Sequence, residues 1–118
     1  MDKDKLTTQH QENIRNAERE LSELAVQQKK LEEQRQDLFN WKRRDIEYLN
    51  QLHSGLQGEA AKQDRRMVEN LLDGTQQHCR DIEQRMEREA LEIEGKRKQV
   101  SAQKDISQVE YRKALQNL

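Results

Sequence analysis

Residues 14–38 read IRNAERELSELAVQQKKLEEQRQDL, and their apolar residues recur at the spacing of a coiled-coil seam. Written as heptads abcdefg, the stretch puts most of its aliphatic side chains at a and d, and charged or amide side chains elsewhere. A stripe this narrow is buried only against another helix. Ile14 and Leu21 occupy a positions, Ala17, Leu24, Leu31 and Leu38 occupy d positions, and Leu49 (a) and Leu52 (d) continue the series.

A second apolar series of the same kind follows in the other half of the chain. It consists of Leu72, Cys79, Ile82, Met86, Ile93 and Val100. The composition agrees with two long helices, because 38% of the 118 residues are charged, 31% are hydrophobic, only 3% are aromatic, and proline is absent. We therefore predict an all-α protein with one domain over residues 1–118.

The chain divides at a glycine-containing segment near its middle. Residues 5–53 contain neither glycine nor proline, whereas Gly55 and Gly58 follow closely beside Ser54. This predicts helix one over about 5–53, a turn over about 54–58, and helix two over about 59–118, capped by Ser54 or by the Gly58 region. Two long helices with a short turn predict an antiparallel coiled-coil hairpin.

Pairing of apolar residues predicts the register of this hairpin. With the turn at 54–58, paired residue numbers add to about 110, so that Leu24 faces Met86 and Leu31 faces Cys79. A turn at Gly74 would leave the first apolar residues of helix one without partners. We therefore predict that Gly74 and Gly95 lie inside helix two, where each weakens the helix by roughly 1 kcal/mol relative to alanine.

Several seam positions are polar in this register. Such positions lower stability but fix register and the number of helices that associate. They are Gln28, Arg35, Lys42 and Asp45 in helix one, and Lys96 and Gln103 in helix two.

The charge pattern and the residue content argue against several functions. The net charge is -1 and both signs are interspersed, so that no basic face is available for nucleic acid. No stretch approaches the roughly 20 apolar residues of a membrane span, and no signal peptide is visible. With a single cysteine, the expected location is the cytoplasm.

The motifs of enzymes and metal sites are missing from the sequence. There is no phosphate-binding glycine loop, nucleophile elbow or metal-ligand spacing of cysteine and histidine. We therefore expect no catalytic activity, metal, cofactor or small-molecule substrate. We interpret Cys79 as a buried free thiol on the seam.

Two groups of residues are candidates for partner binding. Phe39, Trp41, Ile46 and Tyr48 form the only aromatic cluster of the chain, and either close the hairpin core near its turn or make an exposed docking patch. At the other end, Tyr111, Leu115 and Leu118 form an apolar stripe that the predicted register leaves overhanging helix one. This stripe is either an element that inserts into another protein or a frayed tail.

The chain resembles the FliJ- and YscO-like stalk proteins of type III secretion and flagellar export systems. The resemblance rests on length, on the two-helix coiled coil, on residues 37–41 (DLFNW) followed by Leu49 and Leu52, and on a similar second helix with Arg85, Leu91, Arg97 and Lys98. It implies a cytoplasmic protein, peripheral to an inner-membrane secretion apparatus, that links the secretion ATPase to the export gate and also contacts secretion chaperones.

Two further functions fit the same sequence. A small helical type III secretion chaperone and a structural coiled-coil fragment of a larger assembly would both show this pattern. A chaperone would copurify with one secreted protein, whereas a stalk would copurify with the ATPase or the gate. The sequence leaves open whether the chain is a monomer or a dimer.

The heptad assignment makes a prediction about stability. Leu24→Ala and Leu31→Ala each remove a d-position leucine and should lower the free energy of unfolding by about 2–4 kcal/mol. Glu32→Ala, one residue from Leu31 but off the seam, should change it by less than about 0.5 kcal/mol. Urea unfolding of the three variants measures this difference, and equal midpoints would show that the heptads are misassigned.

Overall fold

The computed structural model describes residues 2–118 of the chain, so Met1 lies outside the described residues. Helix α1 spans Lys3–Gly55, a single 3-10 turn spans Glu59–Ala61, and helix α2 spans Lys62–Gln116. The protein is an all-α hairpin of two long helices, as predicted. Helix α2 continues without interruption through Gly74 and Gly95, which confirms that neither glycine forms the turn.

Helix α1 begins with an N-terminal cap and ends in a backbone-driven turn. The Asp2 carboxylate accepts a hydrogen bond from the Asp4 backbone N–H at 3.3 Å, which satisfies one of the free donors of the first turn. At the other end Gly58 has φ 88, a left-handed conformation that favours glycine. Of the two predicted caps of helix two, Ser54 is wrong, because its hydroxyl donates back to the Asn50 carbonyl within α1 at 3.0 Å, whereas Gly58 occupies the N-cap position of the 3-10 turn that precedes α2.

An arginine of α2 closes the turn. The Arg65 guanidinium donates to the Gly58 carbonyl at 2.6 Å and to the Leu56 carbonyl at 3.4 Å. Both carbonyls lie past the last residue of α1, and the Gly58 carbonyl also accepts from the Ala61 backbone N–H at 3.3 Å. The side chain thus ties the connecting segment to the start of α2.

The chain consists of two compact units, each containing part of both helices. The first, which we call the turn unit, is Leu31–Arg88. Its buried apolar side chains are Leu31, Leu49, Val68 and Cys79. Two contacts join α1 to α2 within it: the Lys42 ammonium donates to the Glu83 carboxylate at 3.4 Å, and the His53 ring lies 3.0 Å from the Glu69 carboxylate.

The second unit, the terminal unit, contains the residues up to Lys30 together with Glu89–Leu118. Leu24 is buried there and lies beside Val100. Arg97 donates to the Gln28 side-chain carbonyl at 3.0 Å, and Lys104 lies 3.4 Å from Glu18. In both units the α2 numbers fall as the α1 numbers rise, so the helices are antiparallel. The expectation of a single domain over residues 1–118 stays a prediction.

The predicted register is wrong. The residue numbers of the contacting pairs Lys42–Glu83 and His53–Glu69 add to 125 and 122, not to about 110. Leu24 accordingly lies beside Val100 rather than Met86, and Cys79 lies near Lys42 and Asp45 rather than Leu31. The pairing about 110 assumed a turn of minimal length, whereas the connection between the helices extends through Ala61 before α2 begins.

The heptad positions themselves hold despite this shift. A shift by whole heptads on one helix keeps the same side chains on the seam while exchanging their partners. The described apolar a and d residues of α1 are buried or half-buried except Leu52, and the polar Gln28, Lys42 and Asp45 are half-buried. Arg35, Lys96 and Gln103, also expected on the seam, are exposed.

A cysteine pair tests the observed register. In a Cys79→Ala background, a bismaleimide reagent about as long as the two native side chains should crosslink Lys42→Cys to Glu83→Cys within one chain, because the tips of the native side chains meet at 3.4 Å. Lys42→Cys with Glu69→Cys, the pair closest to the 110 register, should stay unlinked. Denaturing gel mobility distinguishes the two. Crosslinking of only the second pair would restore the register predicted from the sequence.

Candidate partner-binding surfaces

The contacts between the helices define two opposite sides of the turn unit. In an antiparallel pair of right-handed helices, the side chains one position after a seam residue of either helix share one side. Glu69, which follows the buried seam residue Val68, reaches the half-buried seam residue His53 from this side. Since successive side chains turn by about 100° around a helix, those one position before a seam residue lie on the opposite side.

One of these sides carries a group of exposed apolar residues, which we call the Trp41 face. Trp41 precedes Lys42 and Tyr48 precedes Leu49, and their exposed fractions are 40% and 61%. On α2, Met67 and Leu71 precede Val68 and Leu72 and are also exposed. Leu52, predicted on the seam, is exposed and precedes the half-buried His53, so it lies on this face as well.

The other side carries a smaller apolar pair, the Phe39 face. Phe39 follows the seam residue Leu38 and is 58% exposed, whereas Ile46 follows Asp45 and is half-buried. This side also holds the Lys42–Glu83 and His53–Glu69 contacts. These pairs are partly exposed, so they add little stability and serve mainly to fix the register.

The predicted aromatic cluster is thus divided between two faces. Residues 39 and 46 lie seven apart, as do 41 and 48, and each pair occupies one side of α1. The three aromatic side chains are exposed rather than closing the core, and only Ile46 is covered in part. Whether any of them binds a partner stays a prediction. The sequence interpretation missed Met67 and Leu71, although both precede seam residues.

The predicted overhang of the C-terminal stripe is wrong. The Tyr111 ring stacks on His10 with ring centroids 4.1 Å apart and planes 3° from parallel, and its hydroxyl lies 2.9 Å from that of Thr7. Leu115 is half-buried and only Leu118 is exposed. The overhang was expected because the 110 register displaced α2 relative to α1; in the observed register α1 extends alongside this segment. That Tyr111, Leu115 and Leu118 bind a partner stays a prediction.

Cys79 is the buried nucleophilic group of the turn unit, with no exposed surface. Burial raises the pKa of its thiol above the ordinary value of 9.0 because the thiolate would lose its hydration. The Lys42 ammonium opposes this pKa shift, and the Glu83 and Asp45 carboxylates add to it. The thiol is therefore protonated and inert at neutral pH.

Other chemical sites are sparse in the described residues. No three histidine, cysteine, aspartate or glutamate side chains there lie close enough to hold a metal ion. Several concavities are open grooves between the helices, such as the one lined by Leu24, Val100 and neighbouring Glu20, Glu23 and Lys96.

None of the helices in residues 2–118 has a segment of the length and apolarity needed to cross a bilayer.

Comparison with protein-family models, curated proteins and solved structures finds no match to this chain.

The pKa of Cys79 predicts a pH effect on stability. The folded chain holds the thiol proton more tightly than the unfolded chain, so the contribution of this group is complete below about pH 9 and is lost as the pH rises further. The free energy of unfolding of the wild type, minus that of Cys79→Ala, should therefore be smaller at about pH 10 than at about pH 8. Urea unfolding at both pH values gives this difference. A constant difference would contradict the assigned pKa shift, since other groups titrate in both chains.

Proposed function

We propose that the protein is a non-enzymatic coiled-coil stalk or adaptor of a bacterial type III secretion apparatus that links the secretion ATPase to the export gate. The observation that carries this proposal is the exposure of aromatic side chains that the hairpin does not need. Phe39, Trp41 and Tyr48 lie off the seam, and the apolar side chains that join α1 to α2 are buried without them.

Exposed aromatic side chains of this kind favour protein binding. Aromatic side chains, phenylalanine among them, are enriched at protein interfaces because each buries a large area with few rotatable bonds. Here they are concentrated in the turn unit, whose other exposed side chains are mostly charged or amide. An apolar anchor within a polar rim is the usual anatomy of a protein interface.

The identity of the partners comes from the resemblance to export stalk proteins. Residues 37–41, which contain Phe39 and Trp41, carry part of that resemblance and also contribute to both exposed faces. The hairpin architecture is the one that the resemblance implies. The proposed location is the cytoplasmic side of the inner membrane, where the protein would be held by these partners.

We assign the export partners to the Phe39 face. Phe39 and Val26 are both 58% exposed, but Phe39 lies beside a second apolar residue of its face whereas Val26 lies in the terminal unit. Phe39→Ala should therefore reduce binding at least tenfold, whereas Val26→Ala should leave it unchanged. The fold should tolerate both, because neither side chain is buried.

Affinity capture with the tagged chain tests this assignment. The wild type should capture the secretion ATPase and the export-gate protein of the same genome, and Phe39→Ala should lose at least one of them. Capture of a single secreted protein instead would support a chaperone function. Equal capture by Phe39→Ala and wild type would show that the docking face lies elsewhere.

A further inference from the structure

The Trp41 face has features that match a second copy of itself. We infer that two chains associate through this face, turn unit against turn unit, around a two-fold axis parallel to the helices. The inference goes beyond the proposed function, because it assigns the Trp41 face to the chain itself and leaves the Phe39 faces of both chains pointing outward.

The symmetry fixes which helices meet. Rotation by 180° about an axis parallel to the helices lays α1 of each copy on α2 of the other and keeps every residue at its own level along the axis. The interface is isologous, so each contact occurs twice. Residues at one level are those whose numbers add to 122–125, as in the observed pairs His53–Glu69 and Lys42–Glu83.

At the centre of this face, the large Tyr48 side chain of one copy lies opposite Gly74 of the other in the two-fold arrangement. Tyr48 is an exposed, large side chain, and Gly74 lies at its level, one position before the seam residue Thr75. An added Cβ on Gly74 would meet no atom within 4 Å, so the fold of a single chain does not require glycine there. In the two-fold arrangement the Tyr48 ring of each copy packs over Gly74 of the other, which explains a glycine that weakens its own helix.

The charged residues beside this face are complementary in the same arrangement. Asp37 lies at the level of Arg85, and Arg44 at the level of Asp81, with each residue one position before a seam residue. All four are exposed and form no ion pair with another described residue. Both charge pairs lie on the side of the Tyr48 contact that points away from the turn, and each pair occurs twice, which favours this orientation over alternatives.

Substitution of Gly74 tests the dimer interface without an expected loss of folding. At concentrations where both chains are monomeric, Gly74→Leu should keep or raise the thermal midpoint of the hairpin, because leucine favours a helix and the site is open. It should also lower the dimerisation affinity at least tenfold by filling the space over residue 74. Gly95→Leu is the matched control, since Gly95 is also inside α2 with open space but lies outside the turn unit.

Analytical ultracentrifugation measures the result. The wild type and Gly95→Leu should sediment near twice the chain mass of 14.1 kDa, and Gly74→Leu near 14.1 kDa. A wild type that remains monomeric at about 100 µM would overturn the inference, because specific interfaces of standard size bind more tightly than that. Equal dimerisation by Gly74→Leu would overturn it as well.

Mixing two charge variants tests the orientation. Asp37→Arg alone and Arg85→Asp alone each place like charges opposite one another in a homodimer, and both should dimerise poorly. In a mixture, every such contact becomes a pair of opposite charges, so a heterodimer should form. Because the two changes are on separate chains, a contact within one chain cannot produce this rescue. A mixture that stays monomeric would contradict the two-fold arrangement.

Discussion

The burial of a narrow apolar seam between α1 and α2 is the interaction on which the rest of the structure depends. Leu24, Leu31, Leu49, Val68 and Cys79 are its buried members, and no wider core exists in the described residues. An isolated helix of such polar composition is marginal in water, so each helix depends on packing against the other. The surface outside the seam is therefore free to vary without loss of the fold.

The polar contacts complement the seam by fixing its register. Polar contacts between α1 and α2 occur in both units. Each joins residues that lie on the seam or follow a seam residue by one position, such as Glu18 with Lys104 and His53 with Glu69. Exposed pairs contribute little net energy, but each is satisfied in only one alignment of the helices. The opposite side lacks such contacts in the turn unit and carries Trp41, Tyr48 and Leu71 instead.

The fold class, the helix positions and the heptad positions could be predicted because they depend on local spacing. A seven-residue repeat from Ile14 to Leu49 identifies the buried stripe whatever its partner is. The register could not be predicted in the same way, because a shift of whole heptads also pairs apolar with apolar residues. What selects among the alternatives is the length of the connection through Gly58–Ala61 and polar contacts such as Lys42–Glu83.

The candidate surfaces could be predicted only in part, because local spacing shows which residues are apolar but the packing of the helices decides which side each one occupies. Aromatic residues are conspicuous in a sequence with so few, but their division into two faces becomes clear only when each is placed before or after a seam residue. Met67 and Leu71 do not stand out in the sequence. Only their position on the same side as Trp41 and Tyr48 identifies them as part of an exposed apolar face. The error at Tyr111 followed from the error in register, since a displaced α2 predicts an overhang that does not exist.

The fluorescence emission of Trp41, the only tryptophan, tests most directly the central claim that its face lies outside the seam. It is best measured in the Gly74→Leu chain, for which we expect a monomer. We expect a red-shifted emission that acrylamide quenches readily in that chain, and a blue shift with less quenching in the wild type as its concentration rises. A blue-shifted, protected emission in the monomer would contradict an exposed Trp41 face, because it would place Trp41 within the core of a single hairpin.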